Sequence, residues 1–215
     1  MQVKVMENIM SSNEKLAAEN RTYFEQHQIC AVNVMASPGS GKTSVIVKLI
    51  ESLAVRIPFC VVEGDIASSI DAEKIEALGI PVLQINTGGG CHLDANMIKT
   101  AVAELQPVAN SVLFIENVGN LVCPSAFDLG ESLRLVIASV PEGHDKPYKY
   151  VSMFESADVI ILNKVDLMPY IDFNRDSFLQ GIRALNSKAP VFEVSCRTGS
   201  GIAELTEWLS NLVKG

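Results

Sequence analysis

The stretch Ala36-Ser37-Pro38-Gly39-Ser40-Gly41-Lys42-Thr43 follows the apolar run Cys30-Ala31-Val32-Asn33-Val34-Met35. A strand-like run, a glycine turn and a Lys-Thr pair opening a helical pattern form the context of a phosphate-binding P-loop. Gly39 and Gly41 allow a tight wrap, so that the N–H groups from Gly39 through Ser40, Gly41, Lys42, Thr43 and Ser44 can face phosphate oxygens. The helix beginning near Lys42 adds its positive end at the same place. Lys42 is the candidate partner of the β- and γ-phosphates, and the Thr43 hydroxyl a candidate Mg²⁺ ligand. Ala36 stands where the full pattern has glycine, a minor departure because alanine is also small. These residues point to a nucleoside triphosphate.

The base is addressed by Asn163-Lys164-Val165-Asp166, directly after the apolar run Val159-Ile160-Ile161-Leu162. A carboxylate at Asp166 can accept from both N1–H and the 2-amino group of guanine. Adenine lacks that donor pair and would leave the carboxylate unpaired. Asn163 is expected to fix the loop and the Lys164 stem to cover the base plane. About thirty residues on, the turn Ser195-Cys196-Arg197-Thr198-Gly199 offers amides to the base oxygen. GTP, hydrolysed to GDP, is the expected nucleotide.

Two acids at the ends of apolar runs are candidates for the Mg²⁺ at the phosphates. Glu116 closes Val112-Leu113-Phe114-Ile115 and precedes Asn117-Val118-Gly119; Asp65 closes Val61-Val62-Glu63-Gly64. Gly119 can place an N–H on the γ-phosphate. Where many GTPases have Asp-x-x-Gly, this chain has Glu-x-x-Gly, and the longer arm leaves direct ligation, ligation through water and water positioning all open. Lys42, Thr43, Asp65 and Glu116 form the candidate catalytic set. No glutamine follows Gly119 to orient water, so slow intrinsic hydrolysis is expected.

A third group carries soft donors. Cys91-His92 ends the loop Thr87-Gly88-Gly89-Gly90, and Cys123 lies four residues beyond Gly119. Thiolate and imidazole suit Zn²⁺, Ni²⁺ or copper ions rather than Mg²⁺. Three donors leave a tetrahedral structural site incomplete, and two chains about a two-fold axis could complete it. Cys30, Cys60 and Cys196 sit in or beside apolar runs and read as buried small hydrophobes. His27 and His144 read as solvated.

The elements that must hold these groups alternate between strand and helix, which predicts an α/β P-loop NTPase fold. The expected sheet is mostly parallel with helices on both faces, and the ligand lies beyond the carboxyl ends of the strands. Strands are expected at 58–62, 81–85, 111–115, 133–139, 159–162 and 190–194, besides the run before the P-loop. Helices are expected at 44–53, 71–78, 93–105, 176–184 and 202–213. Ser11-Ser12-Asn13-Glu14 reads as a capping box opening an N-terminal helical arm at about 11–28. The 215 residues suit a single GTPase domain, 1–215. A net charge of −8 argues against nucleic acid or an anionic membrane surface as partner. Met1 to Met10 lacks the apolar core of a leader, and five cysteines without a C-x-x-C pair read as reduced thiols, so a cytoplasmic location is expected.

Several stretches together carry a family resemblance: Ser37 to Thr43, Glu63-Gly64-Asp65, Asp71-Ala72-Glu73, Thr87 to Ala95, Glu116 to Pro124, Phe127 to Glu131, Glu142 to Pro147 and Asn163 to Asp166. Over roughly residues 10 to 213 the chain resembles the HypB family, accessory GTPases for nickel incorporation into [NiFe] hydrogenases, of the same broad class as the urease accessory GTPase. The resemblance implies a nickel or zinc site at Cys91, His92 and Cys123, shared by two subunits of a nucleotide-dependent homodimer. It implies a nickel-delivery accessory protein and the hydrogenase large subunit as partners. It also makes Lys146 a candidate base contact reaching the partner's nucleotide. Some members carry an N-terminal cysteine cluster or His-rich tract. The first 29 residues here hold no cysteine and only His27, so nickel storage is not expected. Two other readings remain beside it: a metal-binding module in which nucleotide only scaffolds a dimer, and an accessory GTPase for another metalloenzyme such as urease.

Overall fold

The computed structural model describes residues 5–65 and 70–214, so residues 1–4 of the segment read for a leader lie outside the described residues. The apolar runs become β1 (Cys30–Ala36), β2 (Phe59–Asp65), β3 (Val82–Asn86), β4 (Val112–Glu116), β5 (Leu133–Ser139), β6 (Val159–Asn163) and β7 (Val191–Glu193). They form one sheet in the order β3-β2-β4-β1-β5-β6-β7. Every pairing is parallel, a stricter arrangement than the mostly parallel sheet expected. Both faces of such a sheet are covered, which is why its strands read as unbroken apolar runs rather than alternating ones.

The helices are α1 (Val5–Gln26), α2 (Lys42–Leu53), α3 (Ile70–Glu76), α4 (Ala95–Leu105), α5 (Lys146–Lys149), α6 (Val151–Glu155), α7 (Arg175–Leu185) and α8 (Ile202–Lys214). On one face, Val45, Leu49 and Ile50 of α2 and Leu205 and Leu209 of α8 pack against Val32, Phe114 and Ile161. On the other, Phe24 of α1 and Ile98 of α4 meet Ala31, Leu113 and Ile115. Beside them, Phe154 of α6 and Phe178 and Ile182 of α7 meet Val136, Ile160 and Leu162. β1 lies between β4 and β5, so the loops leaving these three strands at their carboxyl ends are neighbours.

The N-terminal helix departs from expectation. Among the described residues it runs from Val5, so Ser11 to Glu14 lie inside it rather than at its start. Asn13, Ala17, Asn20 and Phe24 form its buried stripe, at helical spacing. The two asparagines in that stripe bind backbone. Asn13 accepts from the Ala95 amide (3.0 Å) and donates to the Asp128 carbonyl (2.8 Å). Asn20 donates to the carbonyls of Ala95 (2.8 Å) and Leu129 (3.0 Å). The helix thus joins the start of α4 to the loop before β5. α5 and α6 were not foreseen, because their single turns, Lys146–Lys149 and Val151–Glu155, are too short to display a period.

Asn20→Ala removes two buried hydrogen bonds to backbone carbonyls and should cost about 1–3 kcal/mol. Denaturant unfolding at equilibrium checks this; a loss below a few tenths of that range would show the stripe to be loosely packed.

Candidate nucleotide and metal site

The loop between β1 and α2 has the geometry that phosphate binding needs. Gly39 (φ 76°) and Gly41 (φ 98°) occupy the left-handed region, and Gly41 is the residue on which α2 starts. A Cβ at Gly41 would stand 2.5 Å from Asn163 Nδ2, so glycine is required by space as well as by backbone. Asn163 donates to the Ser40 carbonyl (3.0 Å), and Lys164, itself at φ 62°, donates from Nζ to the Gly39 carbonyl (2.5 Å). The segment after β6 therefore braces the P-loop directly.

Asp166 is not at the strand end but three residues on, in the 3₁₀ turn Val165–Tyr170. Its carboxylate accepts from Ser195 Oγ (2.6 Å), so the two base-proximal loops are joined. A cleft of about 820 Å³ has Gly41, Thr43, Ser44, Asn163, Lys164, Asp166 and Cys196 in its wall. Cys196 and Cys30 are half-buried rather than buried as expected, and burial raises both thiols above their ordinary range. Cys60 is buried, its thiol pushed up to about 12. Lys146 stands outside the cleft wall, its ammonium 5.1 Å from the centre of the Tyr150 ring.

Behind the P-loop, Thr43 Oγ1 donates to Glu116 Oε1 (2.9 Å). Glu116 and Glu63 are paired across β4 and β2, and each is 3 % exposed. Burial pushes the Glu116 carboxyl up to about 7, against the pull of Lys42 and the Thr43 hydroxyl. Burial, and then the charge of Glu116, push Glu63 up to about 8. Among the described residues, the second oxygen of each has no hydrogen-bond partner. Asp65 ends β2 on the same face as Glu63. Glu63 was passed over because Asp65 stands at the strand's tip. The available signal was an acid inside Val61-Val62-Glu63, which a fully covered strand does not tolerate without a purpose. Glu142 was likewise noted only as part of a motif; it accepts from Ser37 of the P-loop and from Ser139 Oγ (2.7 Å).

The chain leaving β4 crosses the P-loop closely. A Cβ on Gly119 would meet Pro38 Cγ at 3.0 Å and Pro38 Cα at 3.1 Å. Four residues later Cys123 opens the 3₁₀ turn Cys123–Ala126. There the soft donors converge: one ligand atom each from Cys91, His92 and Cys123 lie within 4.8 Å of one another. Cys91 Sγ is 3.5 Å from His92 Nδ1, and the His92 ring stacks on Phe127 with centroids 3.8 Å apart. The Cys123 thiol beside it holds the Cys91 thiol above its ordinary range, and burial lowers His92. His27 and His144 are half-buried with partners, the Tyr23 carbonyl (2.8 Å) and the Asn174 amide (3.3 Å), rather than solvated.

Asn117, which sequence reasoning quoted but gave no role, is the buried joint of this region. It accepts from the amides of Val118 (3.0 Å) and Leu93 (3.1 Å) and donates to Asn33 Oδ1 (3.1 Å).

An all-parallel sheet with a glycine-braced phosphate loop on its central strand defines a P-loop NTPase. Residues 30–193 match the family model "CobW/HypB/UreG, nucleotide-binding domain". The hydrogenase maturation factor HypB of Rhizobium leguminosarum bv. viciae is 49% identical over 207 residues, 96% of this chain and 69% of that protein. HypB of Archaeoglobus fulgidus superposes with a TM-score of 0.89 at 36% identity, covering 94% of this chain and 99% of that one. HypB of Helicobacter pylori, solved in complex with nickel, superposes with a TM-score of 0.87 at 35% identity, covering 94% and 95%. The chain belongs to the HypB branch of the CobW/HypB/UreG family.

Glu63 and Glu116 hold protons more tightly folded than unfolded, so their contribution to stability is present at low pH and lost as pH rises through about 7 and about 8. With divalent cations chelated, the denaturation midpoint should fall as pH rises from 4.5, the ordinary carboxyl value, through about 8, and Glu63→Gln should flatten that fall. Chemical denaturation across the range checks it; an unchanged slope in Glu63→Gln would remove this carboxyl from the account.

Proposed function

We propose that this chain is a GTP-binding and GTP-hydrolysing metallochaperone that holds nickel, with zinc as the competing ion, and assists nickel insertion into the [NiFe] hydrogenase active site. The observation that carries the reading is the convergence of Cys91, His92 and Cys123 within 4.8 Å on two loops, one of which leaves β4 across the P-loop. Two thiols and an imidazole favour borderline-soft ions. Three donors leave coordination positions open, which suits an ion that must be passed on, and a two-fold homodimer would complete the set. The nickel complex of the Helicobacter pylori relative supports nickel as cargo. A nickel-delivery accessory protein and the hydrogenase large subunit are the partners we assign. No helix among the described residues is long and apolar enough to cross a membrane; we take the protein to work in the cytoplasm.

For the nucleotide, we assign the N–H groups of Gly39 to Ser44 and the Lys42 ammonium to the phosphates. Asp166, fixed by Ser195, accepts from the guanine edge, and the amide at Cys196 flanks the base oxygen, because the Ser195 amide expected there donates to the Ser200 carbonyl (2.9 Å) instead. Lys146 is assigned to the nucleotide of a partner subunit. The buried carboxylate oxygens of Glu63 and Glu116 that lack partners among the described residues suit a divalent cation. Thr43, Asp65 and Glu116 would hold Mg²⁺, which when bound offsets phosphate charge. Gly119 offers its amide to the γ-phosphate. Asn120, where a water-orienting glutamine is absent, donates to the Cys91 carbonyl (3.3 Å) instead, consistent with slow unassisted turnover of GTP and water to GDP and phosphate.

Asp166→Asn should weaken GTP by about 10- to 1000-fold, the span of one or more charge-assisted hydrogen bonds at roughly 1.5–3 kcal/mol each, while xanthosine triphosphate gains. Competition binding with ATP, GTP and xanthosine triphosphate decides it; equal affinity of the native chain for ATP and GTP would refute the guanine assignment.

Cys91→Ala or Cys123→Ala should abolish nickel binding and leave GTP binding by the monomer nearly intact. Affinity should fall with decreasing pH, because protons compete for both thiolates and for His92. Nickel and zinc titrations run alongside sedimentation test the shared site. One ion per monomer with no change in mass would exclude it.

A further inference from the structure

We infer that Asn117 is the residue through which the nucleotide at the P-loop sets the geometry of the Cys91, His92 and Cys123 ligands. This positioning role rests on the metallochaperone reading above. Asn117 follows Glu116, whose carboxylate takes the Thr43 hydroxyl bond, and lies two residues before Gly119, which rests on Pro38. It is 1% exposed. Its single carbonyl oxygen accepts both the Val118 amide, on the phosphate side, and the Leu93 amide, on the residue after His92. Its amide group donates to Asn33 Oδ1 on β1, the P-loop strand.

The connection continues to the other ligand loop. Asn33 donates to Glu131 Oε1 (3.3 Å), Glu131 pairs with Arg134 (2.7 Å), and Arg134 donates to the carbonyl of Ser125 (3.3 Å), two residues past Cys123. Both metal loops are therefore tied to one buried amide at the end of the γ-phosphate segment. With water excluded, a shift of Asn117 cannot leave the Leu93 N–H behind unpaired without a large penalty, so the Cys91-His92 loop follows it. A second tie, from Asn120 Nδ2 to the Cys91 carbonyl (3.3 Å), is exposed, and solvent competes for it.

The test is a nickel titration, read by thiolate-to-nickel absorption, of the native chain, Asn117→Ala and Asn120→Ala, each with GDP and with a non-hydrolysable GTP analogue. The native chain should show a ratio between the two affinities on the order of 5- to 150-fold. In Asn117→Ala the ratio should drop to within about twofold of one, with analogue binding retained, whereas Asn120→Ala keeps most of it. A folded Asn117→Ala with the native ratio, or loss of the ratio in Asn120→Ala alone, overturns the inference. Amide hydrogen exchange on the native chain decides the matter if Asn117→Ala does not fold. Leu93 and Val118 should change protection together between nucleotide states, and a change at Val118 alone overturns it. A native chain that binds no nickel fails the metallochaperone reading itself; one that binds nickel equally in both states fails only the coupling.

Discussion

The closeness of two backbones decides most of this structure. The segment leaving β4 crosses the loop leaving β1 so closely that a Cβ on Gly119 would stand 3.0 Å from Pro38 Cγ and 3.1 Å from its Cα, and Pro38 would have to give way to it. That crossing follows from strand order. β4 and β1 are parallel neighbours with register partners Val34 and Glu116, so their carboxyl ends emerge side by side. Because the chain then reaches Cys123 in four residues, the P-loop and the loop carrying this soft donor become neighbours. Groups that would be strangers in another topology share a short lever.

Polar groups inside this sheet are kept where they join loops to the scaffold. Asn33, Asn117 and Glu131 are buried and hydrogen-bonded to one another in sequence. A buried polar chain of this kind contributes modest net stability, since its bonds replace equally good bonds to water, yet breaking it anywhere strands a desolvated group. Its effect is to favour a single arrangement of the loops over many similar ones. Glu63 and Glu116 contrast with it. Among the described residues, each keeps one buried oxygen without a partner, and burial beside the other raises the proton affinity of both, as expected for two carboxyls placed side by side away from water.

The strands and their parallel sense were readable from apolar runs separated by helical spacing, as were the P-loop and the Asn163 to Asp166 motif, because these signals are local. Gly41 shows the limit. Its need for a left-handed backbone belongs to the loop, but its lack of room for a Cβ comes from Asn163, which only the fold brings near. Glu63 escaped notice because its significance lies in facing Glu116 across two strands. Asn117 escaped because one amide serving three segments leaves no periodic trace. The N-terminal helix was misread at its start, since Ser11 to Glu14 satisfy a capping pattern that continuing helix overrides. Lys146 lies in turns too short to announce themselves.

Helix α1 lines no part of the cleft at the P-loop, yet Asn13 and Asn20 close backbone bonds at Ala95, Asp128 and Leu129, and Gly130 lies so close to the helix that a Cβ there would stand 2.4 Å from the Ala17 carbonyl. His92 and its stacking partner Phe127 are on the chain segments so joined. Local opening of a protein occurs in contiguous units of unequal stability. By its bonds, α1 braces the soft-donor loops from the side opposite Asn117, so these loops are held both by the sheet and by a helix outside it. Undocking of this one peripheral helix would therefore loosen the candidate soft-donor loops from that side while leaving the bonds of Asn163 and Lys164 to the P-loop in place.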